Sequence, residues 1–216
     1  AKSTQAGKQS VFQSQVAWGV VSAGMIAIPS AIGLCVLAKP VVTTLFLRGK
    51  FTLEDVNQTA AALQVFAIGI PAYMWIKVFA GAFYARQETW IPVQCATVAL
   101  FVNVIVGCIG AYCFAHVGIA YAVAVSAYVN AGLLYWRLHQ SDVFSFSRSD
   151  MLKMGKVASS SLFTLIGISV IPDMHLWTQM SVTWQIGYLS CALMVSGLGY
   201  AIMLWMMALD WRSPAA

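Results

Sequence analysis

Between Thr89 and Trp136 the chain carries no Asp, Glu, Lys or Arg. A helix that crosses the hydrocarbon of a bilayer needs about 20 mostly apolar residues, at 1.5 Å per residue over roughly 30 Å, so this run is long enough for two crossings. Further uncharged runs cover residues 9–38, 56–76, 157–172 and 174–209. The whole sequence is 60% hydrophobic and 9% charged, too little polarity to solvate the surface of a globular domain. In lipid, bare backbone groups find no partner, which leaves helices or a closed barrel as spanning structures. Barrel strands alternate apolar and polar residues over segments of about ten, whereas these runs are apolar on every side. The expected fold is therefore an all-α polytopic membrane helix bundle.

Six spans are expected: Val16 to Leu37, Thr59 to Tyr84, Pro92 to Phe114, Gly118 to Leu138, Val157 to Ile171 and Trp184 to Leu209. The long run is divided near Tyr112 to Gly118, where His116 and Gly118 mark a tight turn. Thr52 reads as the N-cap of the second helix, with Glu54 and Asp55 in the first turn against the positive end of the helix dipole. An even number of spans puts both ends on one side. That side collects Lys2, Lys8, Arg86, Arg137, Arg148, Lys153, Lys156 and Arg212, against Lys39, Arg48 and Lys50 opposite. Basic loops stay in the cytoplasm, so both ends are expected there. The net charge of +5 is mostly this topology signal and is scattered over separate loops, unlike a nucleic-acid footprint.

The expected organisation is a cytoplasmic linker over 1–15, a four-helix part over 16–138, a cytoplasmic loop over 139–156, a two-helix unit over 157–209 and a cytoplasmic tail over 210–216. With no initiator Met and no signal-peptide layout, AKSTQAGKQSVFQSQ reads as a linker within a longer chain. Motifs for enzyme chemistry are missing from the sequence: there is no GxSxG, HExxH or glycine-rich phosphate loop. Cys35, Cys95, Cys108, Cys113 and Cys191 lie in or beside spans with no CxxC pair, as small packing residues do. His116, His139 and His175 lack metal-ligand spacing. No cofactor or metal is expected, and the chain does not read as an enzyme.

Polar and helix-disturbing residues inside the spans are what remain. Pro29 in the first helix, and Gly69 with Pro71 in the second, are hinge candidates, because proline and glycine bend helices that must rock or line a cavity. Ala23, Ala27 and Ala31 repeat at helical spacing, as do Ala122, Ser126 and Asn130, and such stripes let backbones approach closely. Asn103 and Asn130 are mid-span amides that either tie helices together or face a wet cavity. Lys77 is the charge set well inside a span, with Tyr73 one turn before it and no acidic residue inside any span to pair with it. Such a charge normally faces the bundle interior or water and marks a ligand or ion path; facing a cavity, it would take an anion as partner. The competing reading is snorkelling toward the headgroups near Arg86, nine residues or about 13 Å further along.

Three stretches carry a resemblance: FLRGKFTLED at 46–55, GIPAYMWIKVFAGAFYARQETWIPV at 69–93 and NAGLLYWRL at 130–138. The combination of GKFT with K-V-x-x-x-x-F-Y-A-R-Q and a following T-x-x-P resembles the later helices of the MurJ/MviN family, the bacterial lipid II flippases. Trp90 and Ile91 depart from the basic residue and threonine common in that family before the proline. The resemblance implies a fragment of a fourteen-helix, two-lobe transporter of the multidrug/oligosaccharidyl-lipid/polysaccharide exporter superfamily, this chain matching helices nine to fourteen. Those would be the last four of the second lobe and an added pair associated with a groove toward the lipid.

On that resemblance the parent protein sits in the bacterial cytoplasmic membrane. It moves lipid II, an undecaprenyl-pyrophosphate-linked peptidoglycan precursor, from the inner to the outer leaflet by alternating access. Its partners are membrane lipids, that substrate and the missing N-terminal lobe. Lys77, Tyr73, Asn103 and Asn130 are then substrate-path candidates, and Arg86 a cytoplasmic anchor. Two alternatives stay open at this point: a related exporter of another lipid-linked saccharide or a drug, and a stand-alone six-helix scaffold.

Overall fold

The structure is a computed structural model that describes residues 2–141, 144, 147–162, 164, 165, 172 and 174–206. Its helices are α1 (Lys2–Phe46), α2 (Leu53–Ala85), α3 (Trp90–Gln140), α4 (Arg148–Ser161), α5 (Met174–Gln179) and α6 (Val182–Met206). Among the described residues, five stretches are long and apolar enough to cross a membrane: Gln9–Phe46, Leu53–Ala85, Trp90–Phe114, Val117–Gln140 and Val182–Met206. They match the expected first to fourth and sixth spans. The expected fifth, Val157 to Ile171, begins in the second half of α4, and most of its remaining length lies outside the described residues, as do Leu209 and the 210–216 tail. Helix α4 starts at Arg148 because Ser147 and Asp150 form a reciprocal cap, in which the backbone N–H of Ser147 donates to Asp150 Oδ2 at 3.1 Å. From Lys2 onward the stretch expected as a linker is continuous helix with the first span.

The helical run α3 is two arms, Trp90–Phe114 and Val117–Gln140, rather than one straight helix. Residues eight apart in a straight helix stand about 12 Å apart. Yet a Cβ added to Gly110 would lie 2.7 Å from the carbonyl oxygen of Gly118, and one added to Gly118 would collide with the carbonyl of Gly110. The chain therefore reverses between Phe114 and Val117, within the turn expected from the sequence, and its two arms run back to back. Gly107 against Ala122, and the ring contact of Phe114 with Tyr121, continue the hairpin on either side.

Helix α2 lies between α1 and the second arm of α3, while α4, α5 and α6 pack on α1. Small side chains set the spacing. Val65 packs on Ala120 and Ala124, and Ala72 on Ala127 and Ala131. Gly69 brings α2 close enough that a Cβ there would sit 3.6 Å from the Cα of Ala124. Ala23, Ala27 and Ala31 are all buried on α1. Without a hydrophobic drive between helices in lipid, this close van der Waals approach is what holds them. Larger side chains close the two ends. Val20, Phe79, Phe83, Leu134, Leu138 and Phe144 form one cluster, and Ala38, Val42, Val56 and Ala60 the other. The latter sits beside the α1–α2 turn, where Gly49 takes φ +63 and the Arg48 guanidinium donates to Thr44 O at 3.2 Å.

The expected cap of α2 is present as a complete box: the backbone N–H of Thr52 donates to Asp55 Oδ2 at 2.8 Å, and that of Asp55 to Thr52 Oγ1 at 3.2 Å. Thr52→Ala should cost about 1 kcal/mol in detergent unfolding. Gly118→Val should cost about 1–3 kcal/mol by forcing the arms of α3 apart, read as a lowered midpoint with helical content retained.

Candidate functional site

Lys77 lies on a face of α2 that no described helix covers. It is exposed, as are Tyr73 one turn before it and Gly81 and Tyr84 one and two turns after. A Cβ built on Gly81 meets nothing within 4 Å. No hydrogen bond or ion pair engages Lys77 among the described residues, and on the same helix end Arg86 pairs with Glu88 at 2.9 Å. An ammonium without a carboxylate partner in a chain this apolar keeps its full positive potential for whatever lies beyond that face. The Tyr73 hydroxyl is 3.4 Å from the carbonyl oxygen of Val123, so its ring leans toward α3 while remaining 38% exposed.

Arg86 owes its position to the way α2 stops. The N–H of Gln87 donates to Tyr84 O and that of Glu88 to Phe83 O, both at 3.0 Å, the paired bonds of a Schellman ending. Gln87 takes φ 61, a left-handed conformation usually left to glycine. This ending turns the chain toward α3 and places Glu88 beside the Arg86 guanidinium, so part of the arginine charge is neutralised locally.

Asn103 falls inside the α3 hairpin. Asn103 Nδ2 on the first arm donates to Ser126 Oγ on the second at 3.1 Å, and that hydroxyl donates onward to Val123 O at 3.0 Å. Asn130, one turn beyond Ser126, has a buried Oδ1 with no hydrogen-bond partner, as has Nε1 of Trp75 on α2. The structure thus joins Asn103 to Ser126 across the hairpin, with the Tyr73 hydroxyl reaching the same Val123 carbonyl, and leaves Lys77 on the open face of α2. The helices run unbroken through Pro29 and Pro71. Among the described residues no group of three His, Cys, Asp or Glu could hold a metal ion.

Sequence reasoning missed a cavity of about 620 Å³ between α1 and α6, lined by Met25, Pro29, Gly33, Leu37, Ser196 and Tyr200 among others. Its walls are almost wholly apolar. It also missed the pin that fastens α5 to α1. Trp177 is fully buried, its Nε1 donating to Thr44 Oγ1 at 3.2 Å while Gln185 donates to its carbonyl at 2.7 Å. Thr44 and Trp177 are far apart in the chain, and no spacing rule links them.

Long apolar helices packed through small residues, with one unpaired lysine on an open face and an apolar cavity beside the last helix, define a polytopic helical membrane protein built like a transporter lobe. The family model described as "Lipid II flippase MurJ" matches residues 1–186. The "Probable lipid II flippase MurJ" of Haemophilus influenzae is 34% identical over 192 residues, which is 88% of this chain and 37% of that protein. Its namesake from Vibrio cholerae is 36% identical over 147 residues, 68% of this chain and 28% of that one. Among solved structures, "Lipid II flippase MurJ, inward closed conformation" superposes with a TM-score of 0.70 at 19% identity, covering 93% of this chain and 43% of that chain; at that identity the likeness is one of fold. The chain belongs to the MurJ family. The match spans 37% of the first of these curated relatives and 28% of the second.

The bond from Asn103 to Ser126 makes a direct prediction. Asn103→Val should lower stability by about 0.6–2 kcal/mol. Ser126→Ala added to it should cost little more, a coupling that a double-mutant cycle of unfolding midpoints will read.

Proposed function

We propose that this chain is the C-terminal part of a lipid II flippase of the bacterial inner membrane, whose cargo is a polyprenyl lipid carrying a pyrophosphate-linked headgroup. The observation that carries the reading is Lys77, an unpaired ammonium on an uncovered face of α2 in a chain of this family. A pyrophosphate cannot cross hydrocarbon unaided, because stripping water from its charges is prohibitively costly without compensating positive charge. In this reading the Lys77 face looks into a central cavity completed by an N-terminal lobe, and Lys77 adds positive potential there.

Each remaining candidate takes a role consistent with its position. Tyr73, one turn from Lys77, borders the same path. Asn103, bonded to Ser126 across the hairpin, holds its arms in register as the lobe moves, while Asn130, whose buried amide oxygen has no partner, borders the path. Arg86, fixed by the α2 ending, anchors the cytoplasmic end, with both ends of this segment in the cytoplasm. Pro29, Gly69 and Pro71 are the places where α1 and α2 flex as access alternates between leaflets. Helices α1 to α3 form the lobe, and the region from α4 onward forms the added unit, whose apolar cavity against α1 suits the lipid tail. The work is transport rather than covalent chemistry, with no cofactor.

Lys77→Met in the full-length protein should reduce lipid II translocation roughly tenfold, the factor set by one charge-assisted hydrogen bond, while membrane insertion is unchanged. Lys77→Arg should retain most activity. Growth of a flippase-depleted strain, together with an assay of headgroup exposure on the outer leaflet, checks both; full growth support by the methionine variant would falsify the cavity role. Transport of a different lipid-linked saccharide with lipid II left unmoved would replace the cargo.

A further inference from the structure

Proline removes one backbone donor, and in helix α1 the carbonyl left without it is that of Met25, four residues before Pro29. Inside hydrocarbon a bare carbonyl must be satisfied by another group. The donor here comes from the last helix: the hydroxyl of Tyr200 on α6 donates to Met25 O at 2.7 Å. The neighbouring carbonyl, Ile26 O, accepts from Ser30 Oγ at 2.6 Å, so both carbonyls at the weakened turn are supplied by side chains. On α2 the carbonyl that Pro71 leaves without a donor is that of Ala67, and the Tyr128 hydroxyl donates to the next one, Ile68 O, at 2.9 Å. Each tyrosine therefore reaches from a neighbouring helix to the turn that a proline disturbs.

We propose that Tyr200 is a positioning residue that supplies from α6 the donor Pro29 removes from α1, so that α1 runs unbroken through Pro29 while this bond holds and yields there when it opens. Its functional half rests on the transporter reading above. Met25, Pro29 and Tyr200 all line the cavity between the two helices, so the same bond sets the width of that cavity. The tie is local to the break. With any residue other than proline at position 29 a backbone N–H becomes available to Met25 O, and the tyrosine hydroxyl becomes redundant.

The test uses full-length protein with Tyr200→Phe, Pro29→Ala and the pair together. Hydrogen exchange of peptides covering residues 25–34 is read in detergent, and lipid II translocation in liposomes. Tyr200→Phe should speed exchange in that stretch about fivefold, the factor carried by one net hydrogen bond, and leave α3 peptides unchanged. Combined with Pro29→Ala, it should change exchange little. Translocation by Tyr200→Phe should fall severalfold at equal membrane level. Should the Pro29→Ala variant fail to insert, Pro29→Gly restores the same N–H. Unaltered exchange in Tyr200→Phe, or equal acceleration with and without Pro29, overturns the clamp. Altered exchange with full translocation overturns its role in the cycle. Wild-type protein inert toward lipid II would remove the cargo reading, while the exchange arm still decides the clamp.

Discussion

Backbone hydrogen bonding in an apolar solvent is the constraint on which the rest of this structure depends. Water can satisfy a loose carbonyl at the surface of a soluble protein, but hydrocarbon cannot, and each bare group there costs several kcal/mol. Long unbroken helices result, and so do the exceptions. Where Pro29 and Pro71 remove donors, hydroxyls from Tyr200, Ser30 and Tyr128 stand at the disturbed turns. Where helices end, reciprocal caps at Thr52 and Ser147 and the turned-in amides after Phe83 occupy the free groups. The polar side chains of the bundle are spent largely on backbone.

Steric fit comes second, and it acts through what is missing from side chains rather than what they contain. Gly110 and Gly118 allow the arms of α3 to touch, Gly69 lets α2 meet Ala124, and Gly24 receives Met154 of α4 with the side chain 3.0 Å from where a Cβ would be. Alanine rows continue these contacts along the helices. Bulky residues are then left for the ends of the bundle and for the outside. The first arm of α3 and most of α6 expose Leu, Ile, Phe and Trp, as surfaces that meet lipid or a further lobe must.

How far the sequence can be read differs by element. The cap at Thr52, the turn inside the long uncharged run and the first four spans are legible, because capping chemistry and apolar length are local properties. Helix α4 begins well before the expected fifth span: Ser147 and Asp150 carry the same capping signal as Thr52 and Asp55, but it sits in a polar stretch that reads as loop. For the site, the isolation of Lys77 can be anticipated from the lack of acidic residues in the spans. Whether Asn103 ties helices cannot, since that depends on Ser126 arriving opposite it. The left-handed Gln87 gives no warning either, because glutamine rarely adopts that conformation.

By itself the sequence determined the class of protein, the five long apolar helices seen among the described residues, and the presence of a single cation in the middle of a span, because hydrocarbon selects on composition and length alone. Tertiary structure decided which face of α2 stays open around Lys77, which amides pair, and that a tyrosine on the last helix supplies the donor missing at Pro29. Those outcomes depend on distances between residues remote in sequence, and only packing of the helices against one another fixes them.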